Sequence, residues 1–442
     1  MTRILLLLFL FPALLAGQFT PGEYAARRAA AAAKLPDGAV MVLRSAPEPQ
    51  HDYLEYSQSP AMLYLTGIRE ANAGLVLARG GATGTVFVQP RDPAVEVWSG
   101  KRIGPEGAAT LSGAPARLVG ELDRVVDSLT RAGARIVSDA EPTGRRILEQ
   151  LRGRKSPAEL ALIRRAAEIT VEAHREAMRI ARAGMHEYEL EAAIEYVFRR
   201  SGAERPGFAS IVGSGPNSTT LHYNANDRKT EPGDVVVMDV GASYMGYSAD
   251  VTRTIPLSGV YSPEQREIYG IVRAAQAAAE RNAKPGMRSR FMLDSATAVI
   301  AERLARLGLI ESPTATYDSR GPDGALRQAR QVGLFFYHGL GHGIGLEVHD
   351  PEQYYDSGII AEGSAFTIEP GVYVRENLLD LLADTPRNRA LIARLRELLP
   401  RYRNIGVRIE DDYIVTSQGL EWISRAPREI EEIEALMRRP TP

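Results

Sequence analysis

The first part of the chain alternates short apolar runs with helix-like stretches. The runs at 40–43, 75–78 and 86–89 have the length of buried strands, whereas residues 118–131 are helix-like. This alternation is typical of a small α/β domain. We place that domain at residues 18–155.

The remaining chain repeats a pattern of two helices followed by strands. Ser156–Glu159 supplies an N-cap, a proline at the first helical position and an acid at the third, which predicts the start of a long amphipathic helix. The elements predicted after it are helix 187–200, strands 235–240 and 249–255, helices 262–284 and 292–307, and strands 365–368 and 407–415. The repetition indicates an internally duplicated α+β domain over residues 156–442.

Residues 1–17 have the pattern of an export signal, with one basic residue, an apolar run and small residues at the end. The run is too short to span a bilayer comfortably, so we expect no integral membrane span. The alternative is a buried N-terminal helix or strand, but Pro12 and the polar residues from Gln18 onward favour export. We therefore expect a periplasmic or secreted protein.

Charge and composition narrow the classes of function. The chain has 53 Lys and Arg against 55 Asp and Glu, and the net charge of −2 predicts neither nucleic-acid binding nor attraction to an anionic membrane. Cysteine is absent, which excludes disulfides, thiolate metal sites and cysteine nucleophiles. Any metal site must therefore use oxygen and imidazole ligands.

Two aspartates flank a predicted hairpin. Asp239 ends an apolar strand and Asp250 begins the next, so a turn centred between Tyr244 and Met245 places the two carboxylates opposite each other. One of them must then hold a proton unless a cation lies between them. The alternative is a pair of exposed turn residues, but the apolar run before Asp239 indicates burial.

A glycine-rich segment carries three of the seven histidines. His338, His342 and His349 lie within twelve residues, with glycine at nearly every second position of the first half. This pattern disfavours a helix and predicts a loop running into a strand. The other isolated histidines, His51, His174 and His186, are interpreted as structural.

Two more acids lie at predicted strand positions. Glu369 follows a short apolar run, and alternation places Glu410 on the same strand face as Arg408. Four carboxylates and an imidazole suit hard or borderline divalent ions, with Mn²⁺ preferred and Co²⁺ or Zn²⁺ as alternatives. Because carboxylates can bridge, the set is sufficient for two metal ions.

Six segments of the chain resemble sequence motifs of one known family, and they occur in the same order as in that family. They are Ser210–Asn217 with Leu221–Tyr223, Met238–Gly241, Ser248–Thr254, His338–His349, Ile368–Gly371 and Arg408–Asp411. The chain thus resembles the Xaa-Pro aminopeptidases of the creatinase-like, pita-bread metallopeptidases. Segments 55–59, 64–67 and 98–102 also resemble that family's non-catalytic N-terminal domain.

The resemblance implies a fold and a ligand set. The fold is an α/β N-terminal domain followed by an α+β pita-bread catalytic domain of duplicated ααβ type. Asp239 would bind one metal ion, Asp250 and Glu410 would bridge both, and His342 and Glu369 would bind the other.

The resemblance also implies the roles of the surrounding residues. His222, His338 and His349 would line the substrate pocket and stabilise the reaction intermediate, and Arg408 and Tyr373 would stand behind the metal-bound aspartate. The substrate would be a peptide with proline second, cleaved by a water activated between two cations. Glu369 would relay a proton to the prolyl nitrogen.

Some alternatives remain open at this point. The nearest is a dipeptidase that cleaves only Xaa-Pro, and a remote one is a metal-free creatinase-like enzyme or binding protein. Residues 377–399 read as a charged, helical insertion, either a lid or oligomer contact or a solvated surface segment. The resemblance also implies a homo-oligomer, a dimer or tetramer.

Overall fold

The computed structural model describes residues 19–49, 56–81, 83–352 and 354–438. The predicted export signal and His51 lie outside these residues. Contacts divide the chain into two compact units. The N-terminal unit contains the described residues up to Leu151 and Pro157–Leu162, and the C-terminal unit contains Arg152–Ser156 and the chain from Ile163 onward.

The N-terminal unit is built around one five-stranded sheet. Its strand order is β4-β3-β2-β1-β5, with parallel β1–β5 and β3–β4 pairs and antiparallel pairs between. The elements are α1 (Pro21–Lys34), β1 (Ala39–Arg44), α2 (Pro60–Thr66), β2 (Gly74–Ala78), β3 (Thr85–Val88), α3 (Pro93–Ser99), α4 (Gly104–Ser112), β4 (Ala116–Leu118), α5 (Leu122–Arg131), β5 (Arg135–Val137) and α6 (Pro142–Arg152). This arrangement is the predicted α/β domain.

The C-terminal unit shows the predicted order of two helices and then strands, twice. The first half contains α7 (Pro157–Ile180) from Ile163 onward, α8 (Glu187–Arg200), β6 (Arg205–Pro206), β7 (Ile211–Ser214), β8 (Val235–Val240), β9 (Ala242–Tyr244), β10 (Tyr247–Ser248) and β11 (Val251–Pro256). The second contains α9 (Pro263–Asn282), α10 (Arg290–Arg306), β12 (Thr316–Arg320), β13 (Leu326–Arg330), α11 (Tyr354–Ser357), β14 (Ala365–Ile368), β15 (Gly371–Val374), α12 (Pro386–Tyr402), β16 (Ile405–Arg408), β17 (Asp411–Thr416), β18 (Gly419–Trp422) and α13 (Ile430–Met437).

The strands of the C-terminal unit form small antiparallel sheets. Strands β11-β8-β7 form one sheet, β14-β17-β18 another, and β15 pairs with β16. The two halves meet where Thr252 and Glu410 exchange two backbone hydrogen bonds, of 3.3 and 3.1 Å. None of the helices in the described ranges is both long and apolar enough to cross a membrane.

Helix α12, within the insertion between β15 and β16, packs onto the C-terminal unit. Leu391, Leu395 and Leu399 bury its apolar face in the main core. The buried Asn388 donates to the carbonyl of Asp318 at 2.9 Å and accepts from its N–H at the same distance. The insertion is therefore an integral part of the core and not a solvated surface segment.

This packing predicts the effect of a core truncation in α12. Replacing the fully buried Leu395 by Ala removes apolar contacts and leaves a cavity, so we expect a loss of about 2–5 kcal/mol in the free energy of unfolding. Leu381, 43% exposed in the same insertion, is the control, and L381A should cost less than about 0.5 kcal/mol. Urea denaturation measures both, and equal effects would contradict the packing.

Candidate metal centre

One cleft of the C-terminal unit gathers the residues of the predicted site. It has a volume of about 520 Å³, with Phe208, Ile211 and Leu221 among its apolar lining. Its polar lining includes Asp239, Asp250, Glu369, Glu410, His222, His338, His342, His349 and Arg408. Tyr373 is fully buried and contacts two of these residues, His338 and Arg408.

Asp239 and Asp250 lie on the same side of the hairpin, but the predicted register is wrong by two residues. Asp239 on β8 pairs with Thr252 on β11, not with Asp250. The turn is centred on Met245 and Gly246, which both have positive φ. Because side chains alternate with a period of two, a two-residue shift preserves the face. Asp250 is therefore a diagonal neighbour of Asp239.

Glu410 does not lie on the same strand as Arg408, which corrects the predicted strand at 407–415. Strand β16 ends at Arg408 and β17 begins at Asp411. The chain crosses between them at Glu410, whose N–H donates to the carbonyl of Thr252. The Glu410 side chain is nevertheless buried in the cleft wall.

The histidine segment is a loop that runs alongside β14, and no strand follows it among the described residues up to 352. Backbone hydrogen bonds join Thr367 N–H to the carbonyl of His342 and Glu369 N–H to that of Leu340, each at 2.8 Å. A Cβ at Gly341 would lie 2.5 Å from the Thr367 carbonyl oxygen, so only glycine permits this approach. The close pairing fixes His342 beside Glu369.

The His342 ring presents a lone pair to three carboxylates. Its Nδ1 lies 3.0 Å from the carbonyl of Gly343, a partner that can only accept, so Nδ1 carries the proton. The other nitrogen, Nε2, lies 3.4 Å from Asp250 Oδ2, 3.7 Å from Glu369 Oε1 and 3.9 Å from Glu410 Oε1. Burial lowers the pKa of His342 to about 3, which keeps this ring neutral.

The acids of the cleft repel one another. Burial and then the charge of Glu410 raise the pKa of Asp250 and of Glu369 well above their ordinary values. Burial and the charge of Asp239 raise the pKa of Glu410 to about 8. All these shifts have the direction expected of carboxylates packed together out of water.

Three buried carboxylate oxygens of the cleft have no hydrogen-bond donor among the described residues. They are Asp239 Oδ1, Asp250 Oδ1 and Glu410 Oε1. These oxygens and the neutral imidazole all accept, and no donor of the described residues lies between them, so the site must hold either a cation or protons shared between the acids. Ligand atoms of Asp250, His342 and Glu410 lie within 4.8 Å of one another, so the donor set fits a metal ion.

A chain of hydrogen bonds supports the acids from behind. Arg408 pairs with Asp239 and donates through Nη1 to Tyr373 Oη at 3.1 Å. Tyr373 Oη in turn lies 2.9 Å from His338 Nε2, and His338 Nδ1 lies 2.7 Å from the Gly339 carbonyl. Burial and the nearby Arg408 charge lower the pKa of His338 to about 3, so His338 is neutral and accepts from Tyr373.

Sequence reasoning missed Thr252, which connects Arg408 to a second acid. The Thr252 hydroxyl accepts from Arg408 Nε at 3.2 Å and donates to Glu410 Oε2 at 2.7 Å. The signal was present, because Thr252 follows Asp250 by two residues and so faces the same side of the strand. Partners of this kind orient metal ligands.

The remaining histidines fall into two groups. His222 is exposed at the cleft, and His349 is half-exposed there with its ring 3.9 Å from that of His342. His174 is buried in the core against the Val251 carbonyl, where burial lowers its pKa to about 4. His186 precedes α8 and stacks on Tyr188.

The insertion does not cover the cleft. It connects β15 to β16 at the end of the hairpin where Val374 pairs with Ile405, whereas Arg408 lies at the opposite end. Within the described parts of the chain, no residue from 377 to 399 lines the cleft. The lid hypothesis therefore finds no support in the structure.

Comparison with known proteins assigns both units. Residues 161–417 match the model of metallopeptidase family M24, and residues 24–137 match the N-terminal domain of aminopeptidase P. The Xaa-Pro aminopeptidase of Escherichia coli K12 is 33% identical over 94% of this chain and 97% of its own. The human Xaa-Pro dipeptidase is 36% identical over 64% of this chain and 59% of its own.

The fold comparison agrees with these matches. The solved structure of Pseudomonas aeruginosa aminopeptidase PepP superimposes with a TM-score of 0.78 at 32% identity, covering 95% of this chain and 98% of that one. The fold and the site therefore define a hydrolase of the metallopeptidase class. The chain belongs to metallopeptidase family M24, with the pita-bread catalytic domain and the α/β N-terminal domain that the sequence predicted.

The position of Thr252 predicts its effect on metal affinity. T252V removes the hydroxyl between Arg408 and Glu410, so we expect Mn²⁺ to bind about 10- to 100-fold more weakly, measured by isothermal titration calorimetry. T252S keeps the hydroxyl and should bind with nearly wild-type affinity. Wild-type affinity in T252V would show that the bridge does not orient the acids.

Proposed function

We propose that this protein is an aminopeptidase that releases the N-terminal residue from peptides with proline second, using two divalent metal ions. The proposal rests on one observation. Buried carboxylate oxygens that have no hydrogen-bond donor among the described residues face the His342 lone pair in the cleft. The match to Xaa-Pro aminopeptidases over both units supports the substrate class.

The proposed ligand set uses all five candidate residues. Asp239 would hold one ion, His342 and Glu369 the other, and Asp250 and Glu410 both. Ionised, the four acids and Arg408 sum to −3, so one divalent ion leaves the cluster at −1 and a second brings it to +1. Oxygen and imidazole donors without thiolate favour Mn²⁺, with Co²⁺ and Zn²⁺ as competitors.

When bound, the ions would lower the pKa of water and polarise the carbonyl of the scissile bond. The protein's own groups then complete the reaction. Glu369, at the cleft wall beside His342, would carry a proton to the prolyl nitrogen, and His349 and His222 would donate hydrogen bonds to the carbonyl oxygen as it gains charge. Arg408 and Tyr373 would keep Asp239 and His338 in place.

The share of the chain that each relative matches favours an aminopeptidase over a dipeptidase. The human dipeptidase match leaves about a third of this chain uncovered, whereas the bacterial aminopeptidase match covers nearly all of it, which favours the aminopeptidase.

We expect an Xaa-Pro-Xaa tripeptide to be hydrolysed with Mn²⁺, with activity lost on chelation and restored by two equivalents of Mn²⁺ per chain. Released N-terminal residue is measured by chromatography, and an Xaa-Ala-Xaa peptide is the control. Activity that survives full chelation would overturn the metal mechanism. Hydrolysis of an Xaa-Pro dipeptide alone would instead establish the dipeptidase.

We also propose that the protein is exported and that residues 1–17 are removed, as their pattern predicts. After expression in a bacterial host, mass spectrometry of the protein from the periplasm or medium should find an N-terminus at or next to Gln18. A variant with Leu5→Arg and Leu7→Arg should stay in the cytoplasm with residues 1–17 attached. An intact N-terminus in the wild type would contradict export.

We also propose that the protein forms a homo-oligomer, which an exposed apolar surface of the N-terminal unit supports. Helix α3 exposes 76% of Val97 and 79% of Trp98, an apolar surface that assembly would cover. We expect light scattering to show a dimer or tetramer and W98S to shift it toward the monomer. V260S, at a partly exposed valine of the C-terminal unit, is the control, and a monomeric wild type would refute assembly.

A further inference from the structure

The side chain of Glu187 is fully buried at the start of α8, where it accepts hydrogen bonds from five donor groups of one segment. Oε1 accepts from the N–H and the hydroxyl of Ser214, each at 2.6 Å, and from Asn217 Nδ2 at 3.2 Å. Oε2 accepts from Tyr223 Oη at 2.8 Å and from the N–H of Arg228 at 2.9 Å. All five donors lie within residues 214–228.

The anchor at Glu187 is rigid. Its own N–H donates to the Arg228 carbonyl at 3.0 Å, so Glu187 holds both backbone groups of that residue. As the first residue of α8, its carboxylate also lies at the positive end of the helix dipole. The helix itself is fixed through buried Leu190 and Ile194.

Residue His222 lies in the middle of this segment. No helix or strand includes residues 220–229, and His222 itself is exposed to the cleft. Tyr223, its direct neighbour, is bound by Glu187, and Tyr337 Oη donates to the Thr219 carbonyl at 2.8 Å on the other side. The position of the imidazole therefore depends on contacts to its neighbours.

We propose that Glu187 is a positioning residue that holds segment 214–228 so that His222 points into the active-site cleft. The proposal rests on the proposed function, because it assigns His222 a place in that reaction. The Glu187 carboxylate holds both sides of the segment: Oε1 accepts from donors before His222, and the two shorter bonds to Oε2 come from donors after it. Loss of either side loosens the loop that carries the imidazole, even though Tyr337 and Asn226 keep hydrogen bonds that also hold it.

Hydrogen–deuterium exchange tests whether Glu187 holds segment 214–228, and it does not depend on enzymatic activity. Glutamine in place of Glu187 turns one acceptor oxygen into an NH₂ group facing donors, so E187Q should exchange amides of 215–228 about tenfold faster than wild type. E189Q is the matched control, since Glu189 lies in the same first turn of α8, is exposed, and accepts from His186 N–H. Unchanged exchange in E187Q would overturn the proposal.

Kinetics then test the link to His222. We expect E187Q to lower kcat by roughly 10- to 100-fold on an Xaa-Pro-Xaa peptide, with Mn²⁺ content retained, and E189Q to stay within about twofold of wild type. In the H222A background, E187Q should add less than about threefold, because its effect passes through His222.

Two kinetic results would overturn the positioning role. One is a double variant whose losses multiply in full, and the other is an H222A variant with wild-type kcat. A wild-type protein that hydrolyses no Xaa-Pro peptide would instead refute the proposed function, and the exchange experiment would still decide whether Glu187 holds the segment.

Discussion

The C-terminal unit is organised around the repulsion between four acids in one cleft. Asp239, Asp250 and Glu410 are buried, and Glu369 is largely so. Carboxylates gathered out of water are tolerated only with protons, donors or cations between them. Protein donors serve only the outer oxygens, through Arg408 and Thr252. The inner oxygens are left for a cation, and this division defines the site.

The surrounding scaffold keeps those acids from relaxing away from each other. Arg408 holds Asp239 directly and Glu410 through Thr252, while Tyr373 extends the same network to His338. Each member has a partner on a different strand or loop, so no single side chain can turn without breaking a buried hydrogen bond. This connected network thus opposes the electrostatic repulsion that would otherwise push the acids apart.

Local signals accounted for most of what the sequence predicted. Helix 187–200 and strand 235–240 were placed with the observed bounds, and the strand is marked in the sequence by an apolar run interrupted only by Asp239. The hairpin register was missed by two residues because Met245 adopts positive φ together with Gly246, a turn that favours Asn or Gly at its first position.

Other features could not be predicted because they arise from contacts distant in sequence. The break of the strand at Glu410 depends on hydrogen bonds to Thr252. The hydrogen bonds that Glu187 accepts come from donors 27 to 41 positions away. Periodicity and caps report only on neighbours along the chain. The chemistry of the acids was therefore predictable, and the geometry that holds them was not.

The candidate ligands are distributed unequally over the repeated halves, with Asp239 and Asp250 in the first and His342, Glu369 and Glu410 in the second. Neither half alone therefore holds the complete candidate ligand set. The site is complete only where the two halves face each other. In one chain the two contributions need not be alike, and here one half supplies only aspartates and the other an imidazole and two glutamates.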